Sequence, residues 1–321
     1  MSAEHLKIAV RVTEVQPVNA LVTRFSFAAL DGSNLPVFSG GSHVIVEFGA
    51  CRNPYSLMGN PFETRSYSIS VRRDDVGRGG SLFLHQHVKV GDTGLIGHPV
   101  NLFSLNLRAH KHLFIAGGIG ITPFIAQMDQ LSQAGQRATP PFELHYCAQS
   151  ADLAAYASAL KEKYPGRVAT YFDLENQKLN LELLLQGQAL GTHLYVCGPA
   201  GMIDWVRKTA AGLGWPDKLV HFEHFSAPQV GGRFTVQLAA SGGSLEVSER
   251  QSFLEALEAA GLNPPYLCRG GACGQCETRV IACDGVLDHR DHWLSEADHR
   301  SGEKIMPCVS RVIGQSITID R

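Results

Sequence analysis

The spacing of the cysteines near the C-terminal end constrains this chain more than any other feature. Cys268, Cys273 and Cys276 lie close together in the sequence, and Cys308 follows after a long segment. The pattern C-x4-C-x2-C…C is the ligand spacing of plant-type [2Fe–2S] clusters. The glycines at positions 270, 271 and 274 allow the backbone to turn sharply and to approach the sulfurs closely. This loop therefore predicts an iron–sulfur domain at the C-terminal end.

Two other interpretations of the cysteines remain open. Zinc sites usually use two pairs of cysteines, and a second pair is missing from this sequence. Cys283 is a rival to Cys308 as fourth ligand, but Cys308 follows the longer return segment that the plant-type spacing expects. Cys51, Cys147 and Cys197 are isolated, and such cysteines are more often small buried hydrophobic residues. We therefore favour a cluster over zinc, and Cys308 over Cys283.

Composition and charge argue against several classes of protein. The 321 residues are 44% hydrophobic and 18% charged with a net charge of -2, so no basic field points to nucleic acid or anionic lipid. The start of the chain has no apolar run after basic residues, which predicts no signal peptide. The most apolar window, residues 113–126, is too short to span a bilayer. We therefore expect a cytoplasmic monomer without nucleic-acid or membrane partners.

The 14 histidines of the sequence are also candidate metal ligands. His85 and His87 could pair on a metal ion, yet no carboxylate or third histidine near them in the sequence completes a site. Cysteine–histidine pairs of the Rieske type do not occur in the sequence. We therefore expect no oxygen-activating metal in this chain.

The pattern of apolar residues divides the chain into three domains. Short runs rich in Val, Ile, Phe and Tyr, separated by turn residues, predict an antiparallel β-barrel in residues 1–107. Alternating strand and helix signals predict a doubly wound parallel α/β sheet in residues 108–227. Residues 226–232 are mostly small or turn-forming and predict a linker. A hairpin, a short helix with a capping box and the cysteine loop predict an α+β ferredoxin-like domain in residues 228–321.

Two glycine-rich turns follow strands of the predicted α/β domain. Residues 116–123 (AGGIGITP) precede a helix, where backbone N–H groups and the helix dipole favour anions. Residues 197–202 (CGPAGM) end a later strand, and two such turns at the carboxyl ends of parallel strands form one crevice. The nucleotide-binding candidates are Gly117, Gly118, Gly120, Thr122, Cys197, Gly198 and Pro199. Neither turn is a G-x-G-x-x-G fingerprint, and an ordinary tight turn is the alternative interpretation.

Two short segments of the predicted barrel could bind a flavin. Residues 65–68 (RSYS) offer an arginine fork for a phosphate, a ring for stacking and hydroxyls for the flavin edge. Residues 78–81 (RGGS) open an apparent helix with backbone and hydroxyl donors, which makes a compact monophosphate site and favours FMN. The candidates are Arg65, Ser66, Tyr67, Ser68, Gly79, Gly80 and Ser81. Taken alone, Arg65 and Tyr67 are better explained as a surface charge and a core aromatic.

The order of these motifs makes the chain resemble the phthalate dioxygenase reductase family, which includes the vanillate demethylase reductases. The resemblance covers nearly the whole chain and extends to residues 288–291 (DHRD) and 306–311 (MPCVSR). It implies an FMN-binding barrel, an NAD-binding domain and a C-terminal plant-type ferredoxin domain. Ser68 and Phe225 would lie beside the flavin as catalytic residues, with Glu223 in the same segment as Phe225. An ordinary strand ending in a core phenylalanine is the alternative for that segment.

The same resemblance implies the reductase component of a Rieske-type oxygenase. Electrons would pass from NADH to FMN, to the [2Fe–2S] cluster and to the terminal oxygenase, which residues 269–275 would contact. Residues 148–160 lack Arg and Lys and carry Asp152, which predicts a preference for NADH over NADPH. One alternative is a ferredoxin module used for docking or sensing beside a flavin reductase half. The second alternative is a general flavin reductase, and the cluster motif argues against it.

Overall fold

Each of the three predicted domains contains a sheet of its own. The computed structural model describes residues 7–49, 51–133, 140–225 and 229–321. Within these ranges the first sheet has seven strands and the other two have five strands each. Each sheet has its own main cluster of buried apolar side chains, and Met58, Phe103 and Leu105 from the first 107 residues join the cluster of the central sheet.

The N-terminal sheet is an antiparallel, nearly closed barrel. Its strands are β1 (Lys7–Pro17), β2 (Val22–Ala29), β3 (Ser42–Phe48), β4 (Cys51–Ser56), β5 (Tyr67–Arg72), β6 (Thr93–Gly97) and β7 (Val100–Asn101). They run in the order β4-β3-β6-β1-β2-β5, with β7 on β3, and a bridge between Met58 and Ser68 brings the two ends together. Successive strand residues alternate between faces, and Phe25, Phe27 and Ile69 point into the core. Helix α1 (Gly80–His87) packs on β4 and β5.

The central sheet is entirely parallel. Its strands are β8 (Lys111–Gly117), β9 (Phe142–Ala148), β10 (Val168–Phe172), β11 (Thr192–Cys197) and β12 (Val220–Glu223). The helices are α2 (Thr122–Gln133), α3 (Ala157–Lys163), α4 (Leu181–Gln186) and α5 (Ala200–Gly212). The strand order is β10-β9-β8-β11-β12, so the direction of winding reverses between β8 and β11. Ligands of doubly wound sheets bind at the carboxyl ends of the strands at this reversal.

The C-terminal sheet is mixed. Its strands are β13 (Phe234–Leu238), β14 (Ser244–Val247), β15 (Thr278–Asp288), β16 (Lys304–Ile305) and β17 (Arg311–Ile319). Helix α6 (Phe253–Ala259) starts at the predicted capping box of Ser252 and Glu255, and α7 (Glu296–Ser301) starts at a second box. The strand order is β14-β13-β17-β15-β16. The cysteine loop connects α6 to β15.

One of the two predicted domain limits lies within the described residues. The limit after residue 107 falls between β7 and β8. The limit after residue 227, part of the predicted linker 226–232 and the first six residues lie outside the described residues. In the part of the chain that the structure describes, no helix has the length and apolar character needed to cross a bilayer.

Candidate cofactor sites

The cysteine loop and the segment before β17 bring four thiols together. The Cys268 thiol forms hydrogen bonds with the thiols of Cys273 and Cys308, and these bonds lower its pKa. Cys276 also bonds to Cys308. Three of the four cysteines are buried, and Cys273 is half-buried. Four converging thiols are the donor set that a [2Fe–2S] cluster needs, so the residues fit this group.

Cys283 lies elsewhere in the ferredoxin domain. It is within β15, opposite Ile317 of β17, and it packs against the core of the sheet. Burial and the neighbouring Asp284 raise the pKa of its thiol, which favours the protonated form. The structure therefore brings Cys308 to the cysteine loop and leaves Cys283 in the sheet.

The backbone of the cysteine loop is tightly enclosed. Backbone N–H groups of Gly270 and Ala272 donate to Cys268 Sγ over 3.3 and 3.4 Å. Gly271 and Gly274 have φ angles of +74° and +75°, and a Cβ there would lie 2.7 and 2.3 Å from Val309 and Trp293. Only glycine fits these two positions, as the sequence predicted for a loop that closely approaches the sulfurs.

The expected contact surface of the loop needs a correction. Arg269 is 4% exposed, forms an ion pair with Glu258 and lies 4.0 Å from the ring centroid of Tyr266. Gly270 and Gly271 are also buried, so the exposed positions of residues 269–275 are Ala272 and Gln275. The prediction was wrong for Arg269 because charged side chains usually face water. The sequence alone does not show that Glu258 pairs with this guanidinium inside the protein.

The two predicted glycine turns meet at the carboxyl ends of β8 and β11. A Cβ on Gly117 would lie 3.3 Å from Gly198 Cα, and a Cβ on Gly120 would lie 2.3 Å from the Cys197 carbonyl oxygen. Gly118 has a φ of +53° and faces open space. Gly117 and Gly120 therefore let the two turns pack closely together at the reversal of the sheet, and the backbone at Gly118 borders a crevice that fits a dinucleotide phosphate.

The other nucleotide candidates support this crevice in different ways. Thr122 is buried at the start of α2, and its hydroxyl donates to the Ile119 carbonyl over 3.1 Å. Pro199 is the N-cap of α5. The Cys197 side chain is fully buried, and burial raises the pKa of its thiol well above the usual value. Cys197 can therefore contribute only its backbone to a bound nucleotide.

The predicted flavin residues of β5 lie on two faces of the barrel. Ser68 is half-buried on the outer face, with its hydroxyl 2.9 Å from that of Ser26. Tyr67 pairs with Phe27 and faces the core, where it is 1% exposed. Its hydroxyl donates to the Pro36 carbonyl, and its ring contacts Phe38 edge-on. This differs from the expected stacking of Tyr67 on a flat cofactor, because the β5 register turns the ring inward.

The predicted phosphate segments lie at the surface. Arg65 and Ser66 are exposed just before β5. Gly79 has a φ of +96° and starts α1 without a side-chain cap, which leaves backbone donors for an anion. A cleft of about 390 Å³ at this end of α1 is lined in part by Asn53, Arg78 and Gly80. Ser81 Oγ accepts a hydrogen bond from the Asp74 amide over 3.1 Å. The start of α1 therefore fits a phosphate group.

Arg78 contacts the ferredoxin domain. Its two terminal nitrogens donate to the Glu255 carboxylate over 2.6 and 2.8 Å, and one also donates to the Arg250 carbonyl over 3.1 Å. Burial alone would raise the pKa of Glu255, but Arg78 more than offsets this and lowers it. The guanidinium of Arg78 is thus held by a partly buried carboxylate of α6 in this structure.

A second network between the barrel and the ferredoxin domain was not predicted. Arg52 of β4 donates to Glu47 over 2.9 Å, to Glu258 over 2.9 Å and to the Tyr266 hydroxyl over 2.7 Å. Glu258 also pairs with Arg269 of the cysteine loop. No local motif marks these residues, because their partners are far apart in sequence.

The end of β12 connects the nucleotide crevice with the cysteine loop. Glu223 pairs with Cys197 in the sheet, and burial, then the charge of Cys268, raise its pKa to about 8. His224 stacks on His292 with ring centroids 3.6 Å apart. Phe225 is 45% exposed. The predicted segment therefore lies between the two sites, and His224 and His292 are neighbours that the sequence did not reveal.

Two family models match parts of this chain. A model of the dimethylamine monooxygenase subunit DmmA-like N-terminal domain matches residues 99–220, and a model of the 2Fe-2S iron-sulfur cluster binding domain matches residues 236–312. The chain is 45% identical over 312 residues to the heme-dependent oxidative N-demethylase beta subunit of Ectopseudomonas mendocina, covering 97% of this chain and 98% of that protein.

Two further proteins match over nearly their full lengths. The chain is 38% identical to the vanillate O-demethylase oxidoreductase of Pseudomonas sp. strain HR199, covering 98% of this chain and 99% of that protein. A solved structure matches with a TM-score of 0.90 and 30% identity over 100% of both chains. It is described as phthalate dioxygenase reductase, a modular structure for electron transfer from pyridine nucleotides to [2Fe–2S].

These matches confirm the predicted fold, with its barrel, nucleotide domain and C-terminal ferredoxin domain. They also confirm the predicted kinds of cofactor, namely a flavin, a pyridine nucleotide and a [2Fe–2S] cluster. The chain therefore belongs to the phthalate dioxygenase reductase family of flavin and iron–sulfur oxidoreductases.

Proposed function

We propose that this reductase delivers single electrons from its ferredoxin domain to a Rieske-type terminal oxygenase. The observation that carries the proposal is the joint presence of a glycine crevice, a barrel with an open helix start and four converging thiols. Relatives that share this arrangement include oxidoreductases and reductase subunits of vanillate, carnitine and phthalate oxygenases. We further propose a monomer that works in the cytoplasm.

The nucleotide and flavin sites have separate tasks in this scheme. Gly117, Gly118, Gly120, Gly198 and Pro199 would hold the pyrophosphate of NADH through backbone groups. Bound flavin supplies the step from two-electron to one-electron transfer, and the protein supplies position and electrostatic tuning. The flavin phosphate would be held by Arg65, Ser66, Gly79, Gly80 and Ser81. Ser68 would contact the ring edge, Phe225 would lie beside the ring and Tyr67 would support β5 from within the barrel.

The ferredoxin domain is the proposed exit. Cys268, Cys273, Cys276 and Cys308 would ligate the cluster, with the N–H groups of Gly270 and Ala272 tuning the sulfur of Cys268. Ala272 and Gln275 are the exposed loop positions that a partner would reach. Electron-transfer contacts of this kind are small and transient, so charges around the loop would affect the association rate more than the affinity.

Removal of the ferredoxin domain tests the serial order of the cofactors. Residues 1–227 contain the barrel core and the nucleotide-domain cores, so this fragment should retain flavin and NADH oxidation with ferricyanide. It should lose reduction of cytochrome c and of the oxygenase, because those acceptors would meet the cluster. Raised salt should slow oxygenase reduction by the full chain and spare ferricyanide reduction. Reduction of the oxygenase by the fragment at the full-length rate would refute the serial order.

A haem-containing demethylase is the second candidate partner. It is favoured by the 45% identity to the heme-dependent oxidative N-demethylase beta subunit and by the match to the DmmA-like domain. The two candidates differ in the chromophore that accepts the electron. Anaerobic mixing of the NADH-reduced chain with a purified oxygenase of each class should show faster bleaching of the Rieske absorption than reduction of the haem Soret band. The reverse order would assign the chain to a haem partner.

A further inference from the structure

Two histidines and an aspartate cluster beside the cysteine loop without being part of it. His289 follows β15, Asp291 lies two residues later, and His299 is on α7. One ligand atom from each residue lies within 4.8 Å of the other two, and no other such trio of His, Cys, Asp or Glu outside the cluster thiols is identified among the described residues. Side chains of this type and number form three-ligand sites for zinc and other first-row transition metals.

The three side chains of this trio are largely buried, unlike an ordinary group of charged surface residues. The side chain of Asp291 is 0% exposed and that of His289 is 8% exposed, while that of His299 is 30% exposed. Within the described part of the chain, neither ring nitrogen of His289 has a hydrogen-bond partner. Its Nδ1 lies 3.8 Å from Asp291 Oδ1, which is too far for a hydrogen bond. A buried imidazole with two unpaired nitrogens is costly unless a ligand engages one of them.

The Asp291 carboxylate is held in place but keeps acceptor capacity. Oδ2 accepts from the amides of Leu294 over 2.8 Å and Trp293 over 3.2 Å and lies 3.4 Å from His299 Nε2, and Oδ1 accepts from the Ser310 hydroxyl over 3.2 Å. A carboxylate offers about four acceptor positions, so Oδ1 has one position left that faces His289. Hydrogen bonds that fix a carboxylate in this way are typical of the surroundings of metal ligands.

The two imidazoles are stacked on each other, so His299 has to reorient before both rings can direct a nitrogen at one ion. Their rings stack with centroids 4.2 Å apart and an angle of 16° between planes. Tetrahedral zinc requires ligand atoms about 3.3 Å apart, given bonds of about 2.0 Å. Rotation of His299, the most exposed of the three, can close the remaining gap.

We propose that His289, Asp291 and His299 form a binding site for a divalent transition metal, with zinc as the best fit and water as the fourth ligand. The metal would connect the end of β15 to α7. It would also fix the segment over the cysteine loop, since the His292 amide donates to the Gly271 carbonyl over 3.0 Å. This site is separate from the four cluster thiols and does not depend on the identity of the oxygenase.

Zinc binding to the full-length protein with its cluster intact tests the proposal. Equilibrium dialysis followed by metal analysis should find one zinc per chain, with the iron content unchanged. The His299→Gln variant keeps a hydrogen-bond donor for Asp291 but loses the ligand, and it should bind zinc at least about tenfold more weakly. His98→Ala, which removes an exposed histidine of the barrel, should bind zinc as the parent does.

Thermal unfolding gives a second measurement on the same proteins. Zinc should raise the midpoint at which the cluster absorption of the parent and of His98→Ala is lost, because ligand binding stabilises the folded state. It should leave the midpoint of His299→Gln unchanged. Equal zinc affinity in His299→Gln and the parent, or no bound zinc in the parent at micromolar free zinc, would overturn the proposal.

Discussion

The cluster loop and the flavin site depend on local sequence to different degrees. Three of the four converging cysteines come from a single loop, and Cys308 joins them from the segment before β17. The flavin candidates come mainly from two segments, residues 65–68 at the start of β5 and residues 78–81 at the start of α1. One residue of the second segment, Arg78, pairs with Glu255 of another domain. The cluster ligands can therefore be assigned from spacing, whereas the flavin ligands depend on tertiary contacts.

The glycines of the two sites show the same difference. At Gly271 and Gly274 a Cβ would lie within 2.7 Å of other side chains, so the close packing of the cluster loop itself excludes other residues. At Gly79 a Cβ would contact nothing within 4 Å, and only the φ of +96° favours glycine. A substitution should therefore disturb the cluster loop more than the start of α1.

The largest effect is expected at the fourth cluster ligand. Cys308→Ser should abolish or markedly shift the electron paramagnetic resonance signal of the reduced [2Fe–2S] cluster, because serine replaces one of the four thiolates. Loss of NADH-driven cytochrome c reduction should accompany the change. The measurement is low-temperature spectroscopy of the dithionite-reduced protein, normalised to protein concentration.

Cys283→Ser is the matched control for this change. Its side chain lies in the sheet opposite Ile317, so the cluster signal should stay as in the parent. If Cys283→Ser lost the signal and Cys308→Ser kept it, the ligand assignment would be reversed and the spacing rule would fail for this chain.

The next largest effect is expected for the flavin phosphate. Arg65→Ala should weaken FMN binding by about 2–3 kcal/mol, roughly thirty- to one-hundred-and-fifty-fold, through loss of a charge-assisted contact. Titration of flavin-depleted protein with FMN, followed by fluorescence quenching, measures this affinity. Chromatography of the extracted flavin should yield FMN, and FAD in its place would refute the monophosphate site.

Two arginines serve as comparisons for Arg65. Arg11→Ala removes an exposed guanidinium from β1 and should leave the FMN affinity unchanged. Arg78→Ala should weaken FMN binding less than Arg65→Ala, because Arg78 is bonded to Glu255. If Arg78→Ala had the larger effect on FMN, the guanidinium would have to leave Glu255 when flavin binds.

Much of this molecule was predictable from its sequence because its main signals are local. The strand–helix alternation from residue 108 and the capping box at Ser252 appear in the structure as predicted. The glycine turns after β8 and β11 meet because parallel strands end at one edge of the sheet. These features need only neighbouring residues or a general rule of sheet topology.

The failures of sequence reasoning share a physical cause. Arg78 and Arg269 looked like exposed or ligand-binding charges, and both are paired with carboxylates of α6, Glu255 and Glu258. Tyr67 looked like a platform for a flat ring, and the register with Phe27 turns it into the core. In each case the deciding partner is distant in the sequence, and no periodicity or motif reports that contact.

The third largest effect is expected in the preference for NADH over NADPH at the nucleotide crevice. A hydrogen bond with Ser150 lowers the pKa of the Asp152 carboxyl, and this exposed carboxylate, charged at neutral pH, would repel a 2′-phosphate. The kcat/KM for NADH should therefore exceed that for NADPH by about tenfold or more, equivalent to about 1.4 kcal/mol. Asp152→Asn should lower the ratio of kcat/KM for NADH to kcat/KM for NADPH, because it should raise kcat/KM for NADPH. Equal values for the two cofactors in the parent protein would exclude Asp152 as the discriminating residue.

The smallest effect is expected at the ion pair between Arg78 and Glu255, and it tests whether Arg78 acts at the domain contact. Their side chains are 16% and 23% exposed, and the contact is bidentate, so we expect a coupling free energy of about 1 kcal/mol. A double-mutant cycle with Arg78→Ala and Glu255→Gln measures it in urea unfolding, followed by loss of the cluster absorption, which reports on the ferredoxin domain. The pair Arg233 and Glu249, 67% and 60% exposed, is the control and should show a coupling near zero. Raised salt should reduce the Arg78–Glu255 coupling only partly, because the pair is mostly shielded from solvent. A coupling as small as that of the control would mean that Arg78 does not stabilise the domain contact in solution.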